Sequence, residues 1–372
     1  MKIAVIGHIR HPIAAPFMGG MEVHCHKLVS ALRTRGHDVA LLAARGSDGT
    51  DLIDLGAPYE DVLPWDEWHG TRKLAQYQRE AFERGWEHVM TGGVDVVHNN
   101  SLCSDLIEWA ARDCMPMLTS QHVPPFGAMH DAVIAARDCP WLHFSVTSQN
   151  QLGLWDRRAR SRMHVVYNGI DPEDWPVLRE RSERLLWFGR ITPNKGLREA
   201  VEAARQAGAG LDIAGSIEDR DYFELWVEPH LGESIRYLGH LSGDALKRSV
   251  ASARAVLVTP VWDEPFGLVA AEAMACGVPV IAFDRGAMRE VLGRCGKLVP
   301  AGDVQALADA IRCASELDGS LCREEVARRF SIDAMLDGYE RCYALAMFAA
   351  EASRTGGHAP ASSSARTEAL LA

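Results

Sequence analysis

The chain has no apolar run near the roughly 20 residues that cross a bilayer. Its first residues, MKIAVIG, are too short for the apolar core of a secretion signal and read instead as a first strand. An excess of positive charge is also missing: 39 Lys and Arg face 50 Asp and Glu, a net charge of −11. That balance excludes a dedicated nucleic-acid binder, which needs a basic face to displace counterions, and disfavours adsorption onto anionic lipid. No C-x-x-C occurs, and the nine cysteines are scattered and odd in number, the pattern of reduced thiols in a cytoplasmic protein.

Two phosphate-binding signatures are absent as well. Neither half contains G-x-G-x-x-G after a strand, and GRCGKL at 293–298 has the wrong glycine spacing for a P-loop. Two apparent metal motifs carry little. His24 and His26 flank Cys25, but positions i and i+2 of a helix do not share a face. The triplet Asp219-Arg220-Asp221 resembles a metal-binding D-x-D, yet such clusters are usually solvated surface. No metal site is assigned.

What is present is strand and helix in alternation. KIAVIGH, DVALLAA, VDVVHNN, PMLTSQH, HFSVTSQ and HVVYNG are short strands ending in polar residues. After the Pro- and Asp-rich joint NGIDPEDWP the series restarts with RLLWFGR, LDIAG, IRYLGH, AVLVTP and PVIAF. Strands separated by helices imply parallel βαβ units, whose ligands bind at the carboxyl ends of the strands. The 372 residues therefore divide into two α/β units, at 1–170 and 171–331, with a last helix at 332–352. Residues 353–372, rich in small side chains, are expected to be disordered.

The stretch DEPFGLVAAEAMACGVPVIAFDRG, 263–286, holds two carboxylates eight positions apart among apolar neighbours. Pro and Gly are poor in helix interiors, so Glu264 belongs to a loop and a helix begins near Phe266–Leu268. Cys276 and Gly277 end it, with Glu272 in its second turn. The backbone N–H groups of Phe266, Gly267 and Leu268 are then free helix-start donors for an anion or hydroxyl oxygens. Glu264 and Glu272 can hold hydroxyls of two sugar-like rings; the plain alternative is a helix cap and a solvated residue. WFGRITPNKG adds Gly189 and Arg190 at a strand's end, with Lys195 five residues on, cations suited to a diphosphate. Together the two stretches suggest an activated sugar.

With those residues in view, the chain resembles the retaining glycosyltransferases of the GT-B fold, family 4 (glycosyl transferase group 1). The pieces run almost full length: GGMEVH, DVVHNNS, SQHVPPF, VTSQNQ, VVYNGID, FGRITPNKG, LDIAG, YLGHLS, EPFGLVAAEAMACGVPVIA and PAGDVQALADAI. The resemblance implies two Rossmann-like α/β domains facing each other across a cleft. It implies that the last helix returns to the first domain and that this helix and the joint serve as hinges. By the same resemblance, Glu264 contacts donor-sugar hydroxyls and Glu272 the nucleotide ribose. Arg190 and Lys195 meet the diphosphate, and Phe266, Gly267 and Leu268 supply backbone around sugar and phosphate. Gly19 and Gly20 are the N-terminal loop over the diphosphate, His122 stands near the reacting centre, and Leu241 reads the base through its backbone. Gly189 and Gly215 complete the donor-binding set.

The sequence departs from the family at DRGAMRE, where a single Gly286 precedes Glu290, so Glu290 is not assigned. The loop HIRHPIAAPFMGG is long and shapes the acceptor side, with His8 and His11 as lining or surface. The family further implies transfer with retention, without a divalent metal, the leaving phosphate taking the acceptor proton. No cofactor is called for, since the nucleotide-sugar, UDP by family frequency, is a co-substrate. The acceptor (a sugar, glycan, lipid-linked or small molecule) and the oligomeric state are not named by the sequence. The arginines at 157, 158, 160 and 162 suit an anionic acceptor or membrane surface less well than a solvated run. A nucleotide-sugar epimerase of the same fold and a non-catalytic nucleotide-sugar-binding regulator are the alternatives.

Overall fold

A computed structural model describes residues 1–63, 70–317 and 319–355. These form two compact units. The first comprises Met1–Thr147, Leu152–Val166 and the chain from Met335 on; the second comprises Ser148–Gln151 and Tyr167–Ala334.

The first unit is built on seven strands: β1 (Lys2–Ile6), β2 (Asp38–Ala43), β3 (Leu52–Asp54), β4 (Val96–Asn99), β5 (Met117–Gln121), β6 (Leu142–Val146) and β7 (Met163–Val165). All pair in parallel, in the order β3-β2-β1-β4-β5-β6-β7. β1, β4, β5 and β6 are almost wholly buried, as befits strands covered on both faces. β1 pairs with β2 on one side and β4 on the other, so the order reverses beside β1.

The second unit holds β8 (Leu185–Phe188), β9 (Leu211–Ala214), β10 (Ile235–Tyr237), β11 (Val256–Val258), β12 (Val280–Phe283) and β13 (Gly296–Val299). Their order is β10-β9-β8-β11-β12-β13, again parallel. Here the order reverses between β8 and β11. Apolar clusters cover both faces, one around Leu186, Met274 and Phe330, the other around Trp187, Val201 and Ile311. In such sheets the crevice at the reversal, beyond the carboxyl ends of the strands, is the ligand site.

Three expectations change. β3 and β13 are strands that the sequence did not mark: the first has three residues, and the second follows the glycine-rich turn at 293–296. The division of the chain differs from 1–170 and 171–331, because Ser148–Gln151 and Tyr167–Ile170 cluster with the second unit. The Glu290 carboxylate accepts the Gln149 and Asn150 N–H groups and the Tyr167 hydroxyl, and Ile170 N–H bonds Phe330 carbonyl. Glu290 is thus committed to structure. The last helix, Ile332–Arg354, runs past 352, so Ser353 and Arg354 are helical and Thr355 is a turn; the rest of the tail expected to be disordered, 356–372, lies outside the described residues. From Met335 this helix packs within the first unit, where Tyr343 hydroxyl meets His98 Nδ1 at 2.6 Å.

Candidate active site

In the second unit the expected residues fall at the reversal point. β8 ends at Phe188 and leads into Gly189, Arg190 and Lys195; β11 ends at Val258 and leads through Thr259 to Glu264. Thr259 clips the two loops together. Its hydroxyl donates to the carbonyls of Gly196, at 2.8 Å, and Lys195, at 3.2 Å. Val261 N–H adds a bond to Asn194 carbonyl at 3.0 Å. Lys195 Nζ is thereby held 2.6 Å from Glu264 Oε2, with both side chains mostly buried. Trp262, which the sequence reading missed, finishes the arrangement. Its indole N–H donates to the same Oε2 at 2.8 Å, and Lys195 Nζ lies 5.2 Å from its ring centre.

Arg190 pairs with Glu218 at 2.9 Å, a second carboxylate that the sequence reading missed. A bridge between Ile191 and Ile217 brings these two loops side by side. Each predicted cation therefore already has an acidic partner. Neither cation is bare: any anion that reached them would compete with these carboxylates.

The helix Leu268–Ala275 begins and ends where the glycines predicted. Gly267 caps it at φ +89°, the left-handed region, and a β-carbon there would lie 2.1 Å from Met288 Cε. Ala270, Ala271, Ala273, Met274 and Ala275 are buried, so the helix is apolar nearly all round. Glu272 is its only charge and is half-buried. The Phe266 side chain is core, packed against Phe330, so only its backbone is offered to a ligand. Glu264 is steadied by its backbone carbonyl, which accepts Ala287 N–H at 2.8 Å. Gly215 and Gly189 approach so closely that a β-carbon on Gly215 would lie 1.7 Å from Gly189 carbonyl oxygen. Leu241 lies between β10 and the helix Gly243–Ser252, half-buried against the core.

In the first unit, Gly19 and Gly20 open the helix Gly20–Thr34 beyond β1. Glu22, in its first turn, is buried and 3.2 Å from His8 Nε2. Burial pushes the Glu22 carboxyl up, but the hydrogen bond and charge of His8 outweigh this and leave it below the usual range. His8 therefore serves as the partner of a buried acid. His122, just past β5, is partly exposed and pairs through Nε2 with Asn100 Oδ1 at 2.8 Å. Its ring packs 4.6 Å from that of His24. Burial first, and then the neighbouring His24 and His8, hold its basicity well below that of an ordinary imidazole.

The other flagged residues serve the fold. Asp219 caps the helix Arg220–Trp226 by accepting Tyr222 N–H at 2.8 Å. His24 is buried, whereas His26 lies 3.8 Å from Asp48. Among the described residues no group of three or more His, Cys, Asp and Glu is arranged to hold a metal ion. Arg158 bonds Asp156, Arg160 the carbonyls of Gly153 and Trp155, and Arg162 those of Arg137 and Cys139. Among the described residues no helix is long and apolar enough to cross a membrane.

Comparison with known proteins gives the family and the fold. The model of Glycosyltransferase Family 4 matches residues 18–174, and that of Glycosyl transferases group 1 matches residues 182–316. An uncharacterised glycosyltransferase of Methanocaldococcus jannaschii is 26% identical over 328 residues, covering 78% of this chain and 83% of that protein. A glycosyltransferase involved in avilamycin A biosynthesis has a similar structure: TM-score 0.71, 22% identity, covering 93% of this chain and 98% of that one. Anabaena HepE in complex with UDP and glucose gives TM-score 0.69 at 18% identity, covering 91% and 98%. The chain belongs to the family 4, group 1 glycosyltransferases and has their GT-B architecture of two Rossmann-like α/β domains.

Proposed function

We propose that the protein transfers a hexosyl unit from a nucleoside-diphosphate sugar, with UDP as the nucleotide, to a hydroxyl acceptor. Configuration at the anomeric carbon is retained and no divalent metal is required. The observation that carries this reading is the Lys195–Glu264 pair at the β8/β11 reversal, beside the helix start at Gly267. The UDP bound by HepE supports the choice of nucleotide.

Transfer breaks the bond from the anomeric carbon to the diphosphate, and negative charge grows on the leaving phosphate. Arg190, Lys195 and the N–H groups around Gly267 stabilise that charge where it develops. Glu264, in the loop before the helix Leu268–Ala275, holds donor-sugar hydroxyls, and Glu272, in the second turn of that helix, holds the ribose. The leaving phosphate oxygen takes the acceptor proton on the face it has just left. His122 in the first unit bonds a sugar hydroxyl, and the Gly19–Gly20 amides serve the diphosphate. The free thiols of all nine cysteines suit a reducing cytoplasm.

The test is incubation of the protein with a panel of nucleotide-sugars in EDTA, followed by NMR of the anomeric proton. Transfer or slow hydrolysis with the donor's configuration kept is expected. Inversion, an epimerised donor, or loss of turnover restored by Mn²⁺ overturns the reading.

A further inference from the structure

His122 has one hydrogen-bonding partner described in the structure, and that partner is an amide. Asn100 follows β4 and is buried, with its own N–H tied to Ile6 carbonyl at 2.8 Å. Its side-chain oxygen lies 2.8 Å from His122 Nε2. A carbonyl oxygen can only accept, so the ring must donate there, and Nδ1 is left with a bare lone pair. Among the described residues the titratable groups near the ring are His24 on the helix Gly20–Thr34, whose ring it touches, His8 beyond β1 and His98 on β4. All three are imidazoles. His24 lies 3.4 Å from Tyr339 hydroxyl, and His98 is enclosed by Tyr343 hydroxyl and Ser120 hydroxyl. Among the described residues no carboxylate pairs with the His122 ring; Glu22 pairs with His8 instead.

We propose that Asn100 is a positioning residue. Its side-chain carbonyl accepts a hydrogen bond from His122 Nε2–H, locks the neutral Nε2–H tautomer and leaves Nδ1 as an acceptor for a substrate hydroxyl. His122 then receives a hydroxyl proton in a hydrogen bond and neither donates one nor contributes charge. The proposal rests on the reading of His122 as a sugar-contacting residue, but the tautomer itself does not. Asn100 Nδ2 makes no hydrogen bond among the described residues. Turned the other way, the amide would donate to a bare Nε2 and force the proton onto Nδ1. The two orientations therefore give His122 opposite chemistry.

The experiment is ¹⁵N NMR of the full chain labelled at histidine, with His122→Gln to assign the resonances. At pH 7, Nε2 should carry the proton and Nδ1 should be bare. Asn100→Leu should erase that preference. It should also lower kcat about tenfold, the worth of one hydrogen bond, with the donor KM within about twofold. Asn100→Asp keeps an accepting oxygen and should restore the Nε2–H pattern. Its carboxylate should raise the ring's titration by about 1–3 pH units and give the pH–rate profile a new acid limb. A wild-type proton on Nδ1, an imidazolium at pH 7, or a pattern unchanged by Asn100→Leu overturns the proposal. Should Asn100→Leu fail to fold, the wild-type spectrum and Asn100→Asp decide. Wild-type protein with the expected tautomer but no transfer refutes the transferase reading and leaves standing the tautomer that Asn100 sets on His122.

Discussion

Lys195 Nζ sits 2.6 Å from Glu264 Oε2, joining the residue expected to meet a diphosphate to the one expected to meet a sugar. Glu264→Gln removes the charge that competes with phosphate for Lys195. Binding of free UDP should therefore stay level or tighten, while transfer falls about ten- to a hundredfold, the worth of a charged hydrogen bond. Calorimetric titration beside single-turnover rates makes the comparison. UDP binding that weakens in Glu264→Gln would remove the donor-sugar assignment.

Glu272 makes the converse case. Glu272→Ala should weaken free UDP about ten- to a hundredfold, because a ribose is present in UDP whether or not a sugar is attached. Equal weakening by both substitutions would mean that the two carboxylates do not divide sugar and ribose between them.

Arg190→Ala should reduce kcat/KM by about 10²–10³, as when one preorganised donor to a developing charge is lost. Its pairing with Glu218 is partly solvent-exposed and contributes about 0–1 kcal/mol, so the melting temperature should scarcely move. Wild-type turnover in this variant would place the diphosphate elsewhere.

Gly215→Ala and Gly267→Ala should differ in stability. At Gly267 the obstacle is the flexible end of Met288, so the cost is chiefly the left-handed backbone, about 1–2 kcal/mol. At Gly215 the obstacle is Gly189 backbone oxygen, which has no rotamer to escape into, and the loss should reach about 3 kcal/mol or more. Urea unfolding of the two variants measures the difference; equal losses would contradict the packing argument.

Burial depresses His98 and His24 from 6.5 to about 3 in the folded chain. The unfolded chain binds these protons first. The contribution of each neutral ring is therefore complete above about pH 6.5 and is lost progressively as the pH falls toward 3. Each can cost up to about 1.4 kcal/mol per pH unit in that window. The melting temperature should drop steadily between pH 6.5 and 4.5, and His98→Gln, though less stable at neutral pH, should show a shallower drop. An identical slope would mean that His98 does not carry the acid sensitivity.

Much of this was legible in the chain itself. Punctuation at Gly267 and at Cys276–Gly277 bounded the helix carrying Glu272, because glycine and proline act locally on the backbone. Alternating apolar runs marked eleven of the thirteen strands, and the parallel sheets followed from the helices between them. Whatever depends on strand order was not legible. No period relates residue 195 to 264, or 190 to 218, or 100 to 122. Those pairs exist because β8 lies beside β11, because the Ile191 and Ile217 loops bridge, and because β4 lies beside β5. The same holds for the last helix, whose Tyr343 finds His98 across 245 positions of sequence. Local backbone preference and hydrophobic period are written residue by residue. The partner of a buried charge or imidazole is chosen only when packing removes water and leaves that group to be satisfied by whatever the sheet order has placed beside it.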